Sequence, residues 1–316
     1  MLFSACETDF DVNAEWEETT VVFGLLDASD ENQLQKIKIS KAFLGNMDAY
    51  QMAQYSDSIN YGVDELDVKI YKWDFNQIED SVELIAVPTY RDGEIFYDSI
   101  IVYQFVNDNF LKKGFDYELL VENKNTGNLV TSKSEIVSGF DFDNIFTTKS
   151  KSFQFGLYNN DDFSSSTITW DDSNDNGKIY QLDLIFNYTE IMDGVYTEKS
   201  LRYSLPLIDD TESKMKIEGN SFFNFLALNL DKNQSVIRYF NGIDMLMTVG
   251  SEDLETYINV NKPITGIVQE RPQFSNINNG IGLFSSRFTK VRYDYNITSS
   301  SLQYLKSVDG LDRNFQ

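Results

Sequence analysis

Cys6 is the only cysteine in this chain of 316 residues, and Ser4 and Ala5 stand directly before it. Bacterial lipoprotein maturation needs small residues before a cysteine whose thiol accepts a diacylglyceryl group, so this arrangement favours lipidation at Cys6. The apolar stretch of roughly 7–15 residues that precedes such a site in a secretion signal is missing from residues 1–5, so we expect a true start upstream of Met1 or a trimmed chain. The alternative is an unmodified cysteine near a terminus.

A second arrangement that could carry chemistry is an acidic segment that ends at Asp183. Its spacing matches a calcium loop, with oxygen-bearing side chains at the first, third, fifth and twelfth positions and a glycine at the sixth. The ligands would be Asp172, Asn174, Asn176 and Asp183. The residues from Lys178 onward alternate as a strand, however, and Asn176-Gly177 is typical of a two-residue hairpin turn. We therefore expect a turn and no cofactor, with calcium as the alternative.

Histidine is absent from the chain. This excludes Ser-His-Asp machinery and histidine metal ligands. A pair of carboxylates could hydrolyse glycosides, but no motif marks a pair among the 50 acidic residues, and we expect the protein not to be an enzyme. Trp16, Trp73 and Trp170 could stack on sugars, but the last two lie at strand ends, where packing is the usual role. The net charge of −24 disfavours nucleic acid as a partner, because its field repels polyanions.

The sequence predicts a mainly β fold with two antiparallel β-sandwich-like domains. We expect a truncated lipoprotein signal and acidic tether at residues 1–18, an immunoglobulin-like β-sandwich at residues 19–138, and a second β domain at residues 139–316. Seven short strands separated by turn residues support the first sandwich. They are predicted at residues 20–26, 34–43, 66–73, 82–87, 100–105, 117–122 and 129–136, with a short helix at residues 47–55.

The second domain is predicted from a long alternating strand and one packed helix. The strand at residues 178–188 places large apolar side chains on one face and mainly polar ones on the other. After Gly219 the apolar period changes to three and four residues, which predicts a helix near residues 221–231 with Ser221 as its N-cap. Further strands are predicted at residues 153–158, 166–170, 200–207, 244–249 and 287–295, and the chain from residue 299 onward shows little pattern.

The most distinctive stretch lies near the C-terminus. Its residues Asn276, Asn279, Gly280, Gly282 and Phe284 form the pattern N-I-x-N-G-x-G-x-F. Two glycines one residue apart predict a tight turn that leads into a strand whose backbone another element approaches closely. The pattern resembles a signature near the end of an uncharacterised family of Bacteroidetes-type outer-membrane lipoproteins, a domain-of-unknown-function family often encoded near TonB-dependent receptors.

This resemblance implies a protein that is anchored in the outer membrane through acylated Cys6 and displayed on the cell surface. No stretch approaches the roughly 18 apolar residues of a membrane span, so we expect attachment through acyl chains alone. The resemblance further implies a non-enzymatic binding or accessory protein for nutrient uptake, with a TonB-dependent receptor as partner. The alternative is a structural or adhesive cell-surface protein. The family brings no established catalytic residues, and residues 46–62 depart from its pattern.

Overall fold

The computed structural model describes residues 18–42, 59–90, 99–137, 139–143, 154–171, 176–209, 212–263 and 273–316. Within these ranges the first half contains β1 (Thr19–Asp27), β2 (Leu34–Ala42), β3 (Leu66–Asp74), β4 (Gln77–Glu83), β5 (Ile85–Tyr90), β6 (Ser99–Val106), β7 (Asp116–Asn123) and β8 (Leu129–Glu135). The second half contains β9 (Asp141–Phe142), β10 (Gln154–Phe155), β11 (Tyr158–Asn159), β12 (Asp162–Phe163), β13 (Ser165–Asp171), β14 (Ile179–Met192), β15 (Val195–Ser204), β16 (Ile208–Asp209), β17 (Lys214–Glu218), β18 (Ile237–Gly250) and β19 (Gly280–Ile297). Its helices are α1 (Gly219–Asn229), α2 (Glu252–Asn261) and α3 (Ser299–Lys306).

A ten-stranded sheet runs through both halves of the chain. Eight of its strands follow the order β15-β14-β18-β19-β1-β2-β6-β5, while β10 and β16 pair with β19 and β14. β19 is parallel to β1 and to β10, and the other pairs in this sheet are antiparallel. The expected mainly β, sandwich-like fold with antiparallel sheets is confirmed.

The first hydrophobic core lies between two four-stranded layers. Strands β1, β2, β6 and β5 form one layer, and the separate sheet β4-β3-β7-β8 forms the other. Its fully buried side chains include Val22, Leu26, Ile37, Ile39, Ile70, Tyr117 and Leu119. The chain passes from one sheet to the other at Leu84, whose N–H donates to the Val68 carbonyl at 2.9 Å. The single strand predicted at residues 82–87 was therefore wrong, because those residues belong to two strands in different sheets.

The second core lies on β14 and β18, beneath the three-stranded sheet β17-β13-β9 and α1. The apolar face predicted for β14 is buried as expected, and its members are Tyr180, Leu182, Leu184, Phe186 and Tyr188. Helix α1 buries Phe222, Phe223 and Leu226 against this face. Aromatic edge contacts, such as Phe186 with Phe222 at 6.2 Å between ring centroids, fill the space between helix and sheet.

Three features of the second half differ from the sequence prediction. Helix α1 begins at Gly219, so Ser221 lies inside the first turn and is not the N-cap. Packing fixes this start, because a β-carbon on Gly219 would lie 1.9 Å from the Leu157 carbonyl oxygen. Two further helices, α2 and α3, were not predicted, and none of the helices in the described ranges is long and apolar enough to cross a membrane.

The hairpin predicted around Gly177 was wrong as well. β13, which precedes this turn, pairs with β17 and β9, whereas β14, which follows it, pairs with β15, β16 and β18. The turn therefore connects two different sheets. An Asn-Gly pair indicates a reversal of the chain, but the pairing of the flanking strands is decided by which core their apolar faces enter.

Strand β19 connects the two cores. Residues 280–287 pair with β1, and pairing with β18 extends from Arg287 to Tyr295. Phe284 belongs to the first core and Tyr295 to the second. The boundary predicted between residues 138 and 139 stays a prediction, and the large sheet contains strands from both sides of it.

Candidate functional site

Several predicted site residues lie outside the described residues, namely Cys6, Asp172 and Asn174. The predicted helix at residues 47–55 and Trp16 lie outside them too. Lipidation of Cys6 and the first part of the calcium loop therefore stay predictions.

The structure does not bring the two described residues of the calcium loop together. Asn176 donates from its side-chain amide to the Ile136 carbonyl at 3.3 Å. Asp183 lies inside β14, four residues after Ile179, so about 13 Å of extended strand separates it from the beginning of β14. Its carboxylate is 1% exposed and pairs with Arg202 at 2.5 Å. Within the described part of the chain, no group of three or more histidine, cysteine, aspartate or glutamate side chains could hold a metal ion.

The C-terminal motif joins the two halves of the molecule. Asn276 accepts a hydrogen bond from the Phe284 N–H at 3.0 Å and donates to the Phe284 carbonyl at 2.7 Å. The same amide donates to Asp253 in the first turn of α2 at 2.9 Å. Asn279 donates to the Leu129 carbonyl at 3.0 Å, which attaches the motif to β8. The motif residues thus hold β8, β19 and the start of α2 in one arrangement.

The two motif glycines allow β19 to approach β1. Gly282 has φ +121°, and a β-carbon there would lie 1.9 Å from the Val22 carbonyl oxygen. A β-carbon on Gly280 would lie 2.7 Å from the Thr20 carbonyl oxygen. The close backbone approach predicted from the glycine spacing is confirmed, and the approaching element is the first strand of the chain.

The described tryptophans are part of the framework. Trp170 is 2% exposed and packs on Tyr180, with 5.2 Å between ring centroids. Trp73 lies at the end of β3 with its indole nitrogen buried and the Lys133 ammonium 5.1 Å from its ring centroid. The buried position of Trp170 excludes a sugar-stacking role and agrees with the packing role expected at a strand end.

A cleft of about 590 Å³ lies on the outer face of the large sheet, on the side opposite the cores. We call it the α2 cleft. Side chains of α2 form one wall, and β1, β2 and β19 form the floor. Its apolar lining consists of Phe23, Leu25, Leu34, Leu254, Tyr257, Ile258 and Leu283. Phe23 stays 41% exposed although it meets Tyr257 edge to face at 6.0 Å. The α2 cleft thus offers a partly exposed apolar surface, to which Phe23 and Leu34 contribute most among the described residues.

A buried polar network forms one end of the α2 cleft. Asp27 and Gln35 are both buried and exchange two hydrogen bonds of 2.9 Å, one from the Asp27 N–H and one to the Asp27 carbonyl. The Asp27 carboxylate accepts from Arg287 Nε at 3.1 Å and from the Thr289 hydroxyl at 3.3 Å. The guanidinium of Arg287 therefore lines the cleft while its Nε is anchored on Asp27.

Two more polar groups line the α2 cleft. Lys36 projects from β2, and its ammonium forms no ion pair with any described residue. Gln33 lies in the β1–β2 turn, and its Oε1 is buried without a hydrogen-bond partner among the described residues. A buried polar atom without a partner marks a place where water or a ligand group completes the hydrogen bonding.

Helix α2 is held loosely compared with α1. None of its residues is fully buried, whereas four residues of α1 are.

A second hollow of about 410 Å³ lies at the N-terminal end of α2, with a lining of Asp116, Lys133, Ser134, Glu135, Asn176, Lys178, Ser251, Glu252 and Asp253. This second hollow is polar, and its carboxylates outnumber its ammonium groups.

The shifted pKa values belong to the framework. Burial raises the pKa of Tyr103 to about 12, and it raises the pKa of Tyr117 to about 12 as well. Burial by itself would raise the pKa of Glu190, but hydrogen bonds from Lys199 and Arg238 outweigh it and hold that pKa below its usual value. None of these shifts moves a group toward neutral pH, where a general acid or base works best.

The α2 cleft was missed by the sequence reasoning, although part of it has a signal. Leu254, Tyr257 and Ile258 stand at helical spacing, and Ser251 precedes an acidic first turn, as is typical of a helix start. The floor has no comparable signal, because its strands come from positions as distant as Phe23 and Leu283.

Comparisons of this chain with protein-family models, with curated proteins and with solved structures found no match.

Proposed function

We propose that this protein is a non-enzymatic binding protein that holds a small ligand in the α2 cleft. The observation that carries this proposal is an apolar cleft of about 590 Å³ with an anchored arginine at one end. Ligand sites in proteins are mostly concave and apolar, with a few fixed polar groups that orient the ligand. The loosely held α2 supports the same role, because binding walls come from the less stable parts of a structure.

The proposed cellular role is based on the sequence. The protein is attached to the outer membrane through acylated Cys6, is displayed at the cell surface, and passes its ligand to a TonB-dependent receptor. The arrangement of Cys6 after Ser4 and Ala5 and the resemblance of the C-terminal motif support this role. This role requires no catalysis.

The first half serves as an immunoglobulin-like module in this proposal. The strand order β1-β2-β6-β5 opposite β4-β3-β7-β8 corresponds to A-B-E-D opposite C′-C-F-G. Tyr117 lies at the beginning of β7, the F position, and its hydroxyl donates to the Phe110 carbonyl at 2.9 Å. Such a tyrosine corner is a hallmark of immunoglobulin-type sandwiches.

A structural or adhesive surface protein is the second candidate, and one observation favours it. Phe75 lies in the turn between β3 and β4, is 91% exposed, and has φ 51°. A bulky residue in this backbone conformation at a hairpin tip is a strained arrangement that functional contacts can explain. In the adhesive case, Phe75→Ser abolishes attachment of cells to their surface, whereas changes in the α2 cleft leave attachment intact.

The binding proposal is tested with the neutral fluorescent probe N-phenylnaphthylamine. We expect the probe to bind the parent protein and to lose most of its affinity for Ile258→Trp, in which an indole fills the α2 cleft. Leu228→Trp is the matched control, because Leu228 is 86% exposed on α1. Equal binding to the parent and to both variants would place the probe elsewhere and contradict the proposal.

The attachment proposal is tested by Cys6→Ser in a chain with a complete secretion signal. We expect the variant in the soluble fraction and the parent in the membrane fraction, because stable anchoring needs acyl chains. Retention of the variant in membranes would overturn the lipid anchor. Co-purification of a receptor with the parent distinguishes the accessory role from the adhesive one.

A further inference from the structure

We infer that the ligand of the α2 cleft is an amphipathic anion, with an acidic head group bound by Arg287 and Lys36 and an apolar body on the floor of the cleft. This inference rests on the proposed function, since it names the chemical class of the ligand for the same cleft. It is carried by the side chains that line the cleft and by the way one of them is anchored.

The first step concerns Arg287. Its Nε donates to Asp27 at 3.1 Å, and its two terminal nitrogens make no hydrogen bond with a described residue. Asp27 is itself held by the Ser29 N–H at 3.0 Å and by the Thr289 hydroxyl at 3.3 Å. The guanidinium is thus fixed on one side and available on the other. An arginine in this state can bind a carboxylate, sulfate or phosphate through two parallel hydrogen bonds.

The second step concerns Lys36, which adds a second positive charge to the lining. The lining contains Lys36, Arg287 and the single carboxylate of Asp27. The side chains that line the α2 cleft therefore sum to one positive charge in a protein of net charge −24. The hollow at the N-terminal end of α2 differs, because four carboxylates face two ammonium groups there. An anion is therefore favoured in the α2 cleft and disfavoured in that hollow.

The third step concerns the apolar body. Phe23 and Tyr257 meet edge to face, and Leu254 and Ile258 extend the same wall along α2. Leu283 in the floor is already buried, so the exposed apolar surface comes mainly from Phe23 and Leu34, which are 41% and 44% exposed. A ligand with only a charged head would leave this surface in water, whereas an alkyl or aromatic body removes it from water.

The test compares three molecules with the same alkyl chain and different head groups, namely decanoate, decanol and decyltrimethylammonium. Binding to the full-length protein is measured by isothermal titration calorimetry below the micelle concentration of each. We expect decanoate to bind about tenfold more tightly than decanol, and the cation to bind most weakly.

Two variants assign the head-group contact. We expect Lys36→Gln to weaken decanoate about tenfold and to leave decanol within about twofold, since a charge-assisted contact is removed and the apolar surface is kept. Lys124→Gln is the matched control, because Lys124 is exposed in the turn between β7 and β8. It should change neither the affinity for decanoate nor the affinity for decanol. Arg287→Gln should act like Lys36→Gln. Because this change removes the charged partner of buried Asp27, it can also unfold the protein, and in that case the Lys36→Gln result decides.

The outcomes separate this inference from the proposed function. Binding of decanol and the cation as tightly as decanoate keeps the cleft as a binding site and overturns the anionic head group. Loss of the preference in Lys124→Gln as well as in Lys36→Gln would also overturn it. If none of the three molecules binds and the neutral probe fails to bind too, the proposed function falls together with the inference.

Discussion

A side chain at position 282 would collide with the backbone of the first strand. Gly282→Ala is expected to lower the free energy of unfolding by more than about 3 kcal/mol, because it combines an unfavourable φ of +121° with a contact of 1.9 Å to the Val22 carbonyl. Urea denaturation followed by circular dichroism measures the change.

The matched control is Gly194→Ala. Gly194 has φ +80° in the turn between β14 and β15, and no atom of a described residue lies within 4 Å of the position that its β-carbon would take. This variant should lose about 1–3 kcal/mol, the cost of backbone strain alone. Equal losses in the two variants would show that crowding against β1 contributes nothing at position 282.

Two buried tyrosines differ in whether their hydroxyl group is hydrogen-bonded, so removing each hydroxyl should affect stability differently. The Tyr117 hydroxyl donates to the Phe110 carbonyl at 2.9 Å and accepts from the Lys112 N–H at 2.7 Å. The Tyr103 hydroxyl is buried without a hydrogen-bond partner among the described residues. We expect Tyr117→Phe to lower stability by about 1–3 kcal/mol and Tyr103→Phe to leave it unchanged or raise it. Urea midpoints measure both, and a larger loss for Tyr103→Phe would contradict the assignment.

Alkaline pH should reveal Tyr103 in another way. Burial raises the pKa of Tyr103 to about 12, whereas an exposed tyrosine in the unfolded chain titrates near 10. Between these values the unfolded chain has lost the proton and the folded chain has kept it, so stability falls as the pH rises from about 10 to about 12. Tyr103→Phe lacks this loss and should gain stability relative to the parent at pH 11 compared with pH 8. A constant difference between the two proteins would contradict the shift.

At the scale of elements, truncating a side chain should destabilise the protein much more in α1 than in α2. Phe222 of α1 is fully buried, so Phe222→Ala is expected to cost about 3–5 kcal/mol. Tyr257 of α2 is only half-buried, so Tyr257→Ala should cost no more than about 1 kcal/mol and should weaken binding in the α2 cleft. Calorimetric unfolding together with probe binding tests the pair. A large loss of stability in Tyr257→Ala would assign α2 to the framework.

Element prediction succeeded where one pattern determined the outcome. The alternation of Tyr180, Leu182 and Leu184 identified β14 and its buried face, because strand period and burial agree there. It failed at Leu84, where the chain changes sheets without a turn residue. It also failed at α2, where Leu254, Tyr257 and Ile258 form only a short apolar stripe amid acidic residues. Local pattern identifies an element, but it does not show which sheet the element joins.

At the scale of the whole molecule, we expect the two halves to unfold together. Trp73 reports on the first half and Trp170 on the second, while β19 pairs with strands of both. In a Trp16→Phe background, Trp170→Phe keeps only the first-half reporter and Trp73→Phe keeps only the second-half reporter. In each variant the fluorescence midpoint in urea should therefore equal the midpoint that circular dichroism gives for the same variant. Two separate transitions would show independent domains, as the predicted boundary at residue 138 alone would suggest.

The candidate site illustrates what a single sequence leaves open. Glycine spacing at Gly280 and Gly282 showed that another backbone comes close, but it did not identify β1 as that backbone. The α2 cleft depends on this pairing, because Phe23 and Leu283 become neighbours only when β1 and β19 align. Periodicity is a local pattern, so it cannot predict a contact between two residues that lie this far apart in the sequence.

The pairing of β1 with β19 also has a consequence for how the chain is made. At roughly 5–20 residues per second, synthesis of the residues between Asp27 and Gly280 takes roughly 13–50 s. During that time one hydrogen-bonding edge of β1 has no strand to pair with, and an open strand edge is a template for association with other chains. Synthesis must therefore pass Gly280 before β19 can close this edge, and until then the nascent chain can associate with other chains through β1.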